Sequence, residues 1–448
     1  MSHELTARNA PQTPPSGLRL GERLRQLRVA AGLTQSELAG DRFSKEYVSQ
    51  IERGKTRPTR ETIGWLAAQL GVDPGFLANG VSTDERGRLD AALSRVEAML
   101  QSGRGEEAHE EFASLLDRVR ATGLPELEIR ALVGDARALM RLGEHRPALP
   151  LLTRARHLVE GPGFSDVERA DVLLALGICR YNLQSTQTSL GLFNEALSLA
   201  ERSGMPCDSL RSKILAERSR CWRRHRDYMA AREDIERALE LAEGISDPRT
   251  TGDAYFQASL VAERQGHWVL ARSYAERARA AYEELADRAN VGRMTNNLGG
   301  LNNLLGKPET AVEQLKEAFR IALDLGNLAD AGQAVNGLAR VHLETGRPDL
   351  AEEQARQALK LLDGRVDFLY ETGNAQLVLA RALLEQERLD DAEEAARAGE
   401  AIFEQVALAS QRAAAWVVRG DIAARRGDDR TSARLYRNAA EALQDFRF

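Results

Sequence analysis

Small and apolar residues recur through most of this chain at helical spacing, and the pattern itself repeats about every 40 residues. The clearest series is a small residue that returns at intervals of 40 to 42 residues: Ala108, Ala148, Ser189, Ala231, Ala271, Ala311, Ala351, Ala392 and Ala433. A second series lies seven residues later: Leu115, Ala155, Ala196, Ala238, Ala278, Ala318, Ala358, Gly399 and Ala440. A third lies twelve residues earlier: Val96, Ala136, Gly177, Ser219, Ser259, Gly299, Ala339, Ala380 and Asp421.

Three small positions in each unit indicate two antiparallel helices that cross closely, because a large side chain at the crossing would hold them apart. The turn between the two helices often contains glycine, as at Gly306 and Gly346, where a helix ends in a left-handed conformation. The pattern predicts about nine helix pairs over residues 92–448. Val96 and Leu115 in the first unit and Asp421 in the last unit break the rule, as expected of the units that cap a stack.

This pattern resembles the tetratricopeptide repeat. A period near 40 also fits HEAT or armadillo repeats. The spacing from glycine to alanine in "GKPETA" and "GRPDLA" favours the tetratricopeptide repeat. The resemblance implies an all-α, right-handed superhelix in which the first helix of each pair lines a concave groove.

The segment before the repeats has a different pattern. Residues 18–80 contain "LGERLRQLRVAAGLTQSELA", "SKEYVSQIERGKTRP" and "TIGWLAAQLGVDPGFL", which resemble an Xre-type helix-turn-helix domain of five helices. Thr34 and Glu37 form a capping-box pattern. The turn "AGDRF" is about one residue shorter than usual. We expect a linker over residues 81–91 and, from its Pro, Ser and Gly content, a disordered tail over residues 1–17.

The resemblance implies a recognition helix that enters the major groove of DNA. The residues expected to face base edges are Lys45, Glu46, Ser49 and Gln50. The residues expected to hold phosphates are Gln35, Ser44, Tyr47, Lys55 and Arg57. Lysine suits guanine acceptors, glutamine suits adenine, and glutamate accepts from the cytosine amine.

Charge is divided unevenly along the chain. Residues 18–80 hold ten Lys/Arg and seven Asp/Glu, a net of +3, whereas the whole chain has a net charge of −6. A small basic segment on an acidic body is consistent with nucleic-acid binding.

Composition narrows the class of protein. Three widely spaced cysteines argue against a disulfide framework or a zinc site. We also predict no signal peptide, no membrane span, no cofactor and no catalytic motif. The sequence therefore predicts a cytoplasmic protein that is not an enzyme.

The face of the first helices carries amides and arginines in repeat register. Asn296 and Asn336 each lie 15 residues before the first small position of their own unit. The full set expected to line a ligand groove is Arg220, Arg223, Gln257, Asn296, Asn303, Asn336, Arg340, Asn374 and Arg381. Side-chain amides can donate to and accept from a peptide backbone, and arginine can bind a carboxylate through two nitrogens. Asparagine also disfavours helix, which indicates a role outside packing.

A helix-turn-helix head joined to such an array resembles the RRNPP group of peptide-sensing regulators, which includes PlcR, Rgg and PrgX. The resemblance implies a homodimeric transcription regulator that takes part in quorum sensing and binds double-stranded operator DNA. Its groove would bind a peptide or small-molecule effector. The alternative is a DNA-bound adaptor whose array docks a partner protein without control by a small ligand.

Overall fold

The structure is a computed structural model that describes residues 20–245, 247–365, 368–406 and 409–444. The predicted disordered tail, residues 1–17, lies outside these described residues. Within them the chain forms 23 α-helices and no β-strand, so the all-α prediction is confirmed. The chain divides into two compact units: one contains the first nine helices except the first two residues of the ninth, and the other contains the remaining fourteen helices together with residues 142–146.

The predicted five-helix head is present at the start of the first unit. Its helices are α1 (Leu20–Ala30), α2 (Gln35–Ala39), α3 (Lys45–Glu52), α4 (Arg60–Leu70) and α5 (Pro74–Asn79). Apolar residues at helical spacing form one core: Leu24, Leu27, Leu38, Val48, Ile51, Leu66 and Leu77.

Local sequence signals fix the ends of these helices. The side chain of Thr34 accepts from the Glu37 N–H, and the Glu37 side chain accepts from the Thr34 N–H, so the predicted capping box is formed. The buried Arg23 side chain of α1 donates to the carbonyls of Leu77 and Ala78, at 2.9 and 2.6 Å, which ties α1 to the end of α5.

Eighteen helices follow within the described residues, which is the number that the nine predicted pairs require. The first unit contains α6 (Thr83–Gln101), α7 (Gly105–Thr122), α8 (Pro125–Arg141) and α9 (His145–Val159). The second unit contains α10 (Asp166–Asn182), α11 (Thr186–Arg202), α12 (Asp208–Arg224), α13 (Tyr228–Glu243), α14 (Pro248–Arg264), α15 (Trp268–Glu284), α16 (Arg288–Leu304), α17 (Pro308–Asp324), α18 (Leu328–Glu344), α19 (Pro348–Leu362), α20 (Leu369–Glu385), α21 (Leu389–Gln405), α22 (Ala409–Arg425) and α23 (Asp429–Gln444).

Helix α6 begins at Thr83, inside the segment 81–91 for which we expected a linker. The Ser82 side chain accepts from the Glu85 N–H and caps this helix. The connection between α5 and α6 is therefore short, and the first repeat helix is longer than the prediction by nine residues at its start.

The small positions lie where helices of a pair cross. The first series has no exposed surface from Ala108 to Ala392. A Cβ atom at Gly177 would lie 2.4 Å from Phe193 Cε1, and a Cβ atom at Gly299 would lie 2.6 Å from Leu315 Cγ. The close approach therefore requires small residues at these positions.

The predicted register of the last pair is wrong by one residue. Ala433 and Ala440 are exposed, whereas Ser432 and Ala439 are buried. The small residue at the crossing is Gly420, whose Cβ would lie 2.6 Å from Tyr436 Cε1. Asp421 is not a capping exception; it accepts a hydrogen bond from the Tyr436 hydroxyl at 2.6 Å.

Candidate functional site

The third helix of the head is held at its start by a side-chain cap. Ser44 Oγ accepts from the Tyr47 N–H at 3.1 Å. The Tyr47 ring packs on Phe43, with centroids 5.3 Å apart, and Phe43 packs edge-on against Trp65. Ser44 and Tyr47, both predicted to hold phosphates, thus also position α3 on the head.

Three of the four predicted base-contacting residues are exposed on α3: Lys45, Glu46 and Gln50. The Thr56 hydroxyl donates to Gln50 Oε1 at 3.0 Å and orients the amide. Ser49 differs, because its side chain is buried and its hydroxyl has no hydrogen-bond partner among the described residues. This burial argues against the predicted base contact of Ser49.

The start of α2 is joined to the end of α3 by a buried charge network. Glu52 accepts from Arg28 Nε at 2.6 Å and from Gln35 Nε2 at 2.7 Å. The side chains of Arg28 and Glu52 are only 12% and 4% exposed. Gln35, predicted to hold a phosphate, is therefore already fixed in place by Glu52.

The segment after α3 presents exposed cations. Lys55 and Arg57 are exposed, as predicted for phosphate contacts. Arg53 and Arg60 are exposed on the same stretch and were not predicted. The sequence already held the signal, since "RGKTRPTR" contains four cations and no carboxylate.

In the second unit, polar side chains connect the first helices of successive pairs. Arg220 of α12 donates to Asn182 of α10 at 3.4 Å, and Asn297 of α16 donates to Ser259 of α14 at 3.1 Å. The predicted groove positions of these first helices form one surface, which we call the first-helix face. Its helices are α10, α12, α14, α16, α18 and α20.

Two amides on this face have an unused acceptor. Asn296 and Asn336 are half-buried, and the side-chain oxygen of each is buried without a hydrogen-bond partner among the described residues. Gln257 is 8% exposed, and its Oε1 is likewise buried without a hydrogen-bond partner among the described residues. Buried polar atoms are normally paired, so these oxygens are candidates for a ligand contact.

Of the other predicted groove residues, Asn303 is already hydrogen-bonded within the protein, and three others differ in how exposed they are. Asn303 donates to Glu344 Oε2 at 2.6 Å, so its nitrogen already has a partner within the protein. Asn374 is half-buried, and Arg340 and Arg381 are exposed.

Arg220 and Arg223 belong to a cluster around Tyr181. The Arg220 guanidinium lies 4.3 Å and that of Arg224 5.2 Å from the centre of the Tyr181 ring. Burial lowers the pKa of Arg223, and the positive charges of Arg220 and Arg264 lower it further. We call Arg220, Arg223, Arg224 and Arg264 together the arginine cluster.

Sequence reasoning missed Tyr181 and Arg224. Tyr181 lies four residues after Gly177, and Arg223 lies four residues after Ser219. Tyr181 therefore occupies the same repeat position as Arg223 and Asn303. Had this position been followed through every unit, the sequence alone would have identified Tyr181 as a groove residue.

Carboxylates accompany these cations on the same face. Glu371 of α20 accepts from Gln333 Nε2 at 3.2 Å. Burial raises the pKa of Glu371, the nearby Asp330 acts in the same direction, and Arg224 opposes them. The first-helix face thus offers both signs of charge to a ligand.

An apolar patch lies at the start of α15. Trp268, Val269 and Leu270 are 40%, 66% and 44% exposed. These three consecutive residues and Leu305 line a shallow depression. Exposed apolar surface of this kind is common at protein interfaces.

Other kinds of site find little support in the described parts of the chain. No described helix is both long and apolar enough to cross a bilayer. Among the described residues, no group of three or more His, Cys, Asp or Glu is placed to bind a metal ion.

The family models match both parts of the chain. A helix-turn-helix domain model matches residues 19–79, and tetratricopeptide repeat models match residues 286–364 and 336–407. The predicted combination of a helix-turn-helix head with tetratricopeptide repeats is confirmed.

Two curated relatives are similar to the head. The chain is 42% identical over 65 residues to the HTH-type transcriptional regulator DdrOP3 of Deinococcus deserti, which is 14% of this chain and 50% of the relative. It is 44% identical over 54 residues to the uncharacterized HTH-type transcriptional regulator y4dJ of Sinorhizobium fredii, which is 12% of this chain and 70% of the relative. The chain thus spans only about half the length of DdrOP3.

Solved structures resemble the repeats. The apo form of the quorum sensor NprR from B. thuringiensis superposes with a TM-score of 0.54 and 12% identity, over 80% of this chain and 99% of that one. A Rap protein complexed with competence and sporulation factor gives a TM-score of 0.54 and 14% identity, over 80% of this chain and 98% of that one. Both belong to the RRNPP group, and at this identity they establish a shared fold.

Proposed function

We propose that this chain, which belongs to the HTH-type transcriptional regulators, binds a specific operator through α3 and responds to an effector bound on its first-helix face. The effector is a peptide or a small molecule. The protein acts as a homodimer, because helix-turn-helix heads commonly read paired half-sites on DNA. In this proposal it works in the cytoplasm and catalyses no reaction.

The DNA-binding half of the proposal is supported by the surface of α3. Lys45, Glu46 and Gln50 are exposed near the start of a capped helix, and the segment that follows holds Lys55 and Arg57. Exposed cations beside the helix would fix its register on the phosphates, while the helix side chains would read the bases.

The sensing half is supported by one observation above all, the unpaired amide oxygens of Asn296 and Asn336. A buried acceptor without a partner costs about 1–3 kcal/mol. A peptide N–H group could satisfy each of them. For an effector to regulate, it must also bind one arrangement of the dimer better than another.

Footprinting on the chain's own promoter tests the DNA-binding half. We expect two protected half-sites that disappear with Lys45→Ala combined with Gln50→Ala. Repeating the footprint with candidate effectors tests the sensing half, and the expected result is a change in operator affinity that requires Asn296 and Asn336.

The apolar patch favours a second candidate function, that of an adaptor. Trp268, Val269 and Leu270 are exposed together, as in many protein-docking surfaces. If the chain is an adaptor, Trp268→Ala should abolish capture of a partner protein, and peptides should leave DNA binding unchanged.

A further inference from the structure

We propose that Thr56 sets the base preference of Gln50, so that Gln50 contacts guanine rather than adenine. Thr56 acts as a positioning residue, because its hydroxyl holds one end of the Gln50 amide. This inference rests on the DNA-binding half of the proposed function and specifies one base that α3 recognises.

The segment after α3 is tied to the end of that helix through its backbone. Gly54 has a φ of 68°, in the left-handed region, and its N–H donates to the Ile51 carbonyl at 2.9 Å. The Lys55 N–H donates to the Gln50 carbonyl at 2.9 Å. These two hydrogen bonds form the Schellman motif that commonly ends a helix. Thr56 is the next residue, so its position beside α3 is fixed by the backbone.

The side chains add a second connection between this segment and α3. Thr56 is half-buried, and its hydroxyl donates to Gln50 Oε1 at 3.0 Å. Gln50 is exposed, and its Nε2 has no hydrogen-bond partner among the described residues. A side-chain amide has one acceptor end and one end with two donors. The Thr56 contact therefore holds the oxygen at the protein and leaves the two N–H donors of Nε2 for DNA.

The donor end of the amide matches guanine. In the major groove guanine presents two neighbouring acceptors, N7 and O6, whereas adenine presents the acceptor N7 beside the donor group N6. A glutamine that recognises adenine must bring both Oε1 and Nε2 to the base. Because Thr56 holds Oε1, Gln50 offers N–H donors and pairs with guanine. This preference differs from the pairing with adenine that the residue type alone suggests.

The cations on either side of Thr56 connect base recognition to phosphate binding. Lys55 and Arg57 are exposed, and both belong to the proposed phosphate contacts. Contacts of this kind fix the register of a protein on the duplex. They would hold the segment against the DNA backbone and keep the Thr56 hydroxyl at Gln50 in the complex. Thr56 therefore links the phosphate contacts to the side chain that recognises the base.

The test uses the full-length chain to select DNA from a pool of random duplexes, and the bound sequences are counted. The position contacted by Gln50 is the one at which Gln50→Met removes the preference. There we expect the wild type to enrich guanine over adenine about tenfold, as a good major-groove contact does. Thr56→Val removes the hydroxyl but keeps the branched shape. It should bring the ratio of guanine to adenine close to one, because the amide can then turn either way.

Matched variants show that the effect belongs to the hydroxyl. Thr56→Ser keeps a hydroxyl and should keep the wild-type ratio. Lys55→Gln removes a neighbouring cation and should weaken binding to all sequences alike, with the ratio unchanged. In a Gln50→Met background, Thr56→Val should not change the ratio further, since the two residues act as one unit. Circular dichroism of each variant confirms that it is folded.

The outcomes separate this inference from the proposed function. Unchanged guanine enrichment in Thr56→Val would overturn the role of Thr56 and leave operator binding standing. Enrichment of adenine by the wild type, or the absence of any position that depends on Gln50, would overturn the guanine contact and also leave operator binding standing. If the wild type enriches no sequence at all, the operator-binding proposal is wrong and this inference fails with it.

Discussion

Asn296 and Asn336 occupy the same repeat position on α16 and α18, and both have a buried side-chain oxygen without a hydrogen-bond partner in the described part of the chain. Neighbouring asparagines on α16 are different: Asn297, Asn302 and Asn303 donate to Ser259, Gln314 and Glu344. Asn296 is therefore distinguished from its neighbours by geometry, although the sequence "TNNLGGLNNLLG" presents its four asparagines alike.

The first prediction concerns stability. Asn296→Ala combined with Asn336→Ala should leave the free energy of unfolding unchanged or raise it by about 1 kcal/mol, since it removes unpaired polar atoms and improves helix propensity. The matched control is Asn302→Ala, which breaks a half-buried hydrogen bond to Gln314 and should cost about 1–3 kcal/mol. Hydrogen exchange of α16 to α18 measures both. A marked loss of protection in the double variant would show that these amides are structural.

The second prediction concerns the recognition helix. Lys45→Ala and Gln50→Ala should each weaken operator binding by about 1–3 kcal/mol and relax base preference at one position. Arg25→Ala removes an exposed cation from α1 and should have a much smaller effect. Titrations on the footprinted operator and its single-base variants provide the measurement. Equal losses for Arg25 and Lys45 would indicate general electrostatic attraction without base reading.

The third prediction concerns the network at Glu52. Glu52→Ala should destabilise the head by about 3 kcal/mol, because it leaves the Arg28 charge buried without its partner and also releases Gln35. The exposed pair of Arg42 and Glu61 is the comparison, and Arg42→Ala should have little effect. Hydrogen exchange of α1 to α3 reports the loss locally. Similar protection in both variants would rule out a structural role for the network.

The fold was largely predictable because its constraints repeat. Each unit needs small residues at the same crossing, so eight of the nine first-series positions were identified correctly from spacing alone. The exception was the last pair, where Ala433 stands beside Ser432 and both are small. Composition cannot distinguish two adjacent small residues, and only the packing of Tyr436 on Gly420 settles the register.

The candidate sites were less predictable because exposure and pairing depend on neighbours. Ser49 and Gln50 are adjacent polar residues, yet one side chain is buried and the other is exposed. Asn303 and Asn336 were both predicted to line the groove. Among the described residues, Asn303 donates to Glu344, whereas the side-chain oxygen of Asn336 has no hydrogen-bond partner. The Asn303 contact joins residues 41 positions apart along the chain, and the sequence near Asn303 does not reveal it.

The fourth prediction uses the pH dependence of Glu371. Burial raises its pKa in the folded state. The protonated form is thus favoured by folding, and this contribution to stability is present below the unfolded pKa and is lost as pH rises through the folded pKa. Glu371→Gln should remove this part of the pH dependence and make the second unit more stable than the wild type at neutral pH. Thermal unfolding from pH 4 to pH 7 checks this. Parallel curves for the two proteins would contradict it.

The fifth prediction compares two adjacent glycines in the middle of α16. Alanine favours helix over glycine by about 1 kcal/mol, so Gly300→Ala should stabilise the chain, since nothing lies within 4 Å of the added Cβ atom. At Gly299 the added Cβ would lie 2.6 Å from Leu315 Cγ and 3.3 Å from the Ala311 carbonyl oxygen. Overpacking of this kind costs about 1–3 kcal/mol, which exceeds the gain in helix propensity. Gly299→Ala should therefore destabilise α16 and α17, whereas its neighbour should stabilise them, as measured by hydrogen exchange of the two helices. If both substitutions raise protection, α16 and α17 do not cross as closely as the structure places them, and the small positions do not set the spacing of the pairs.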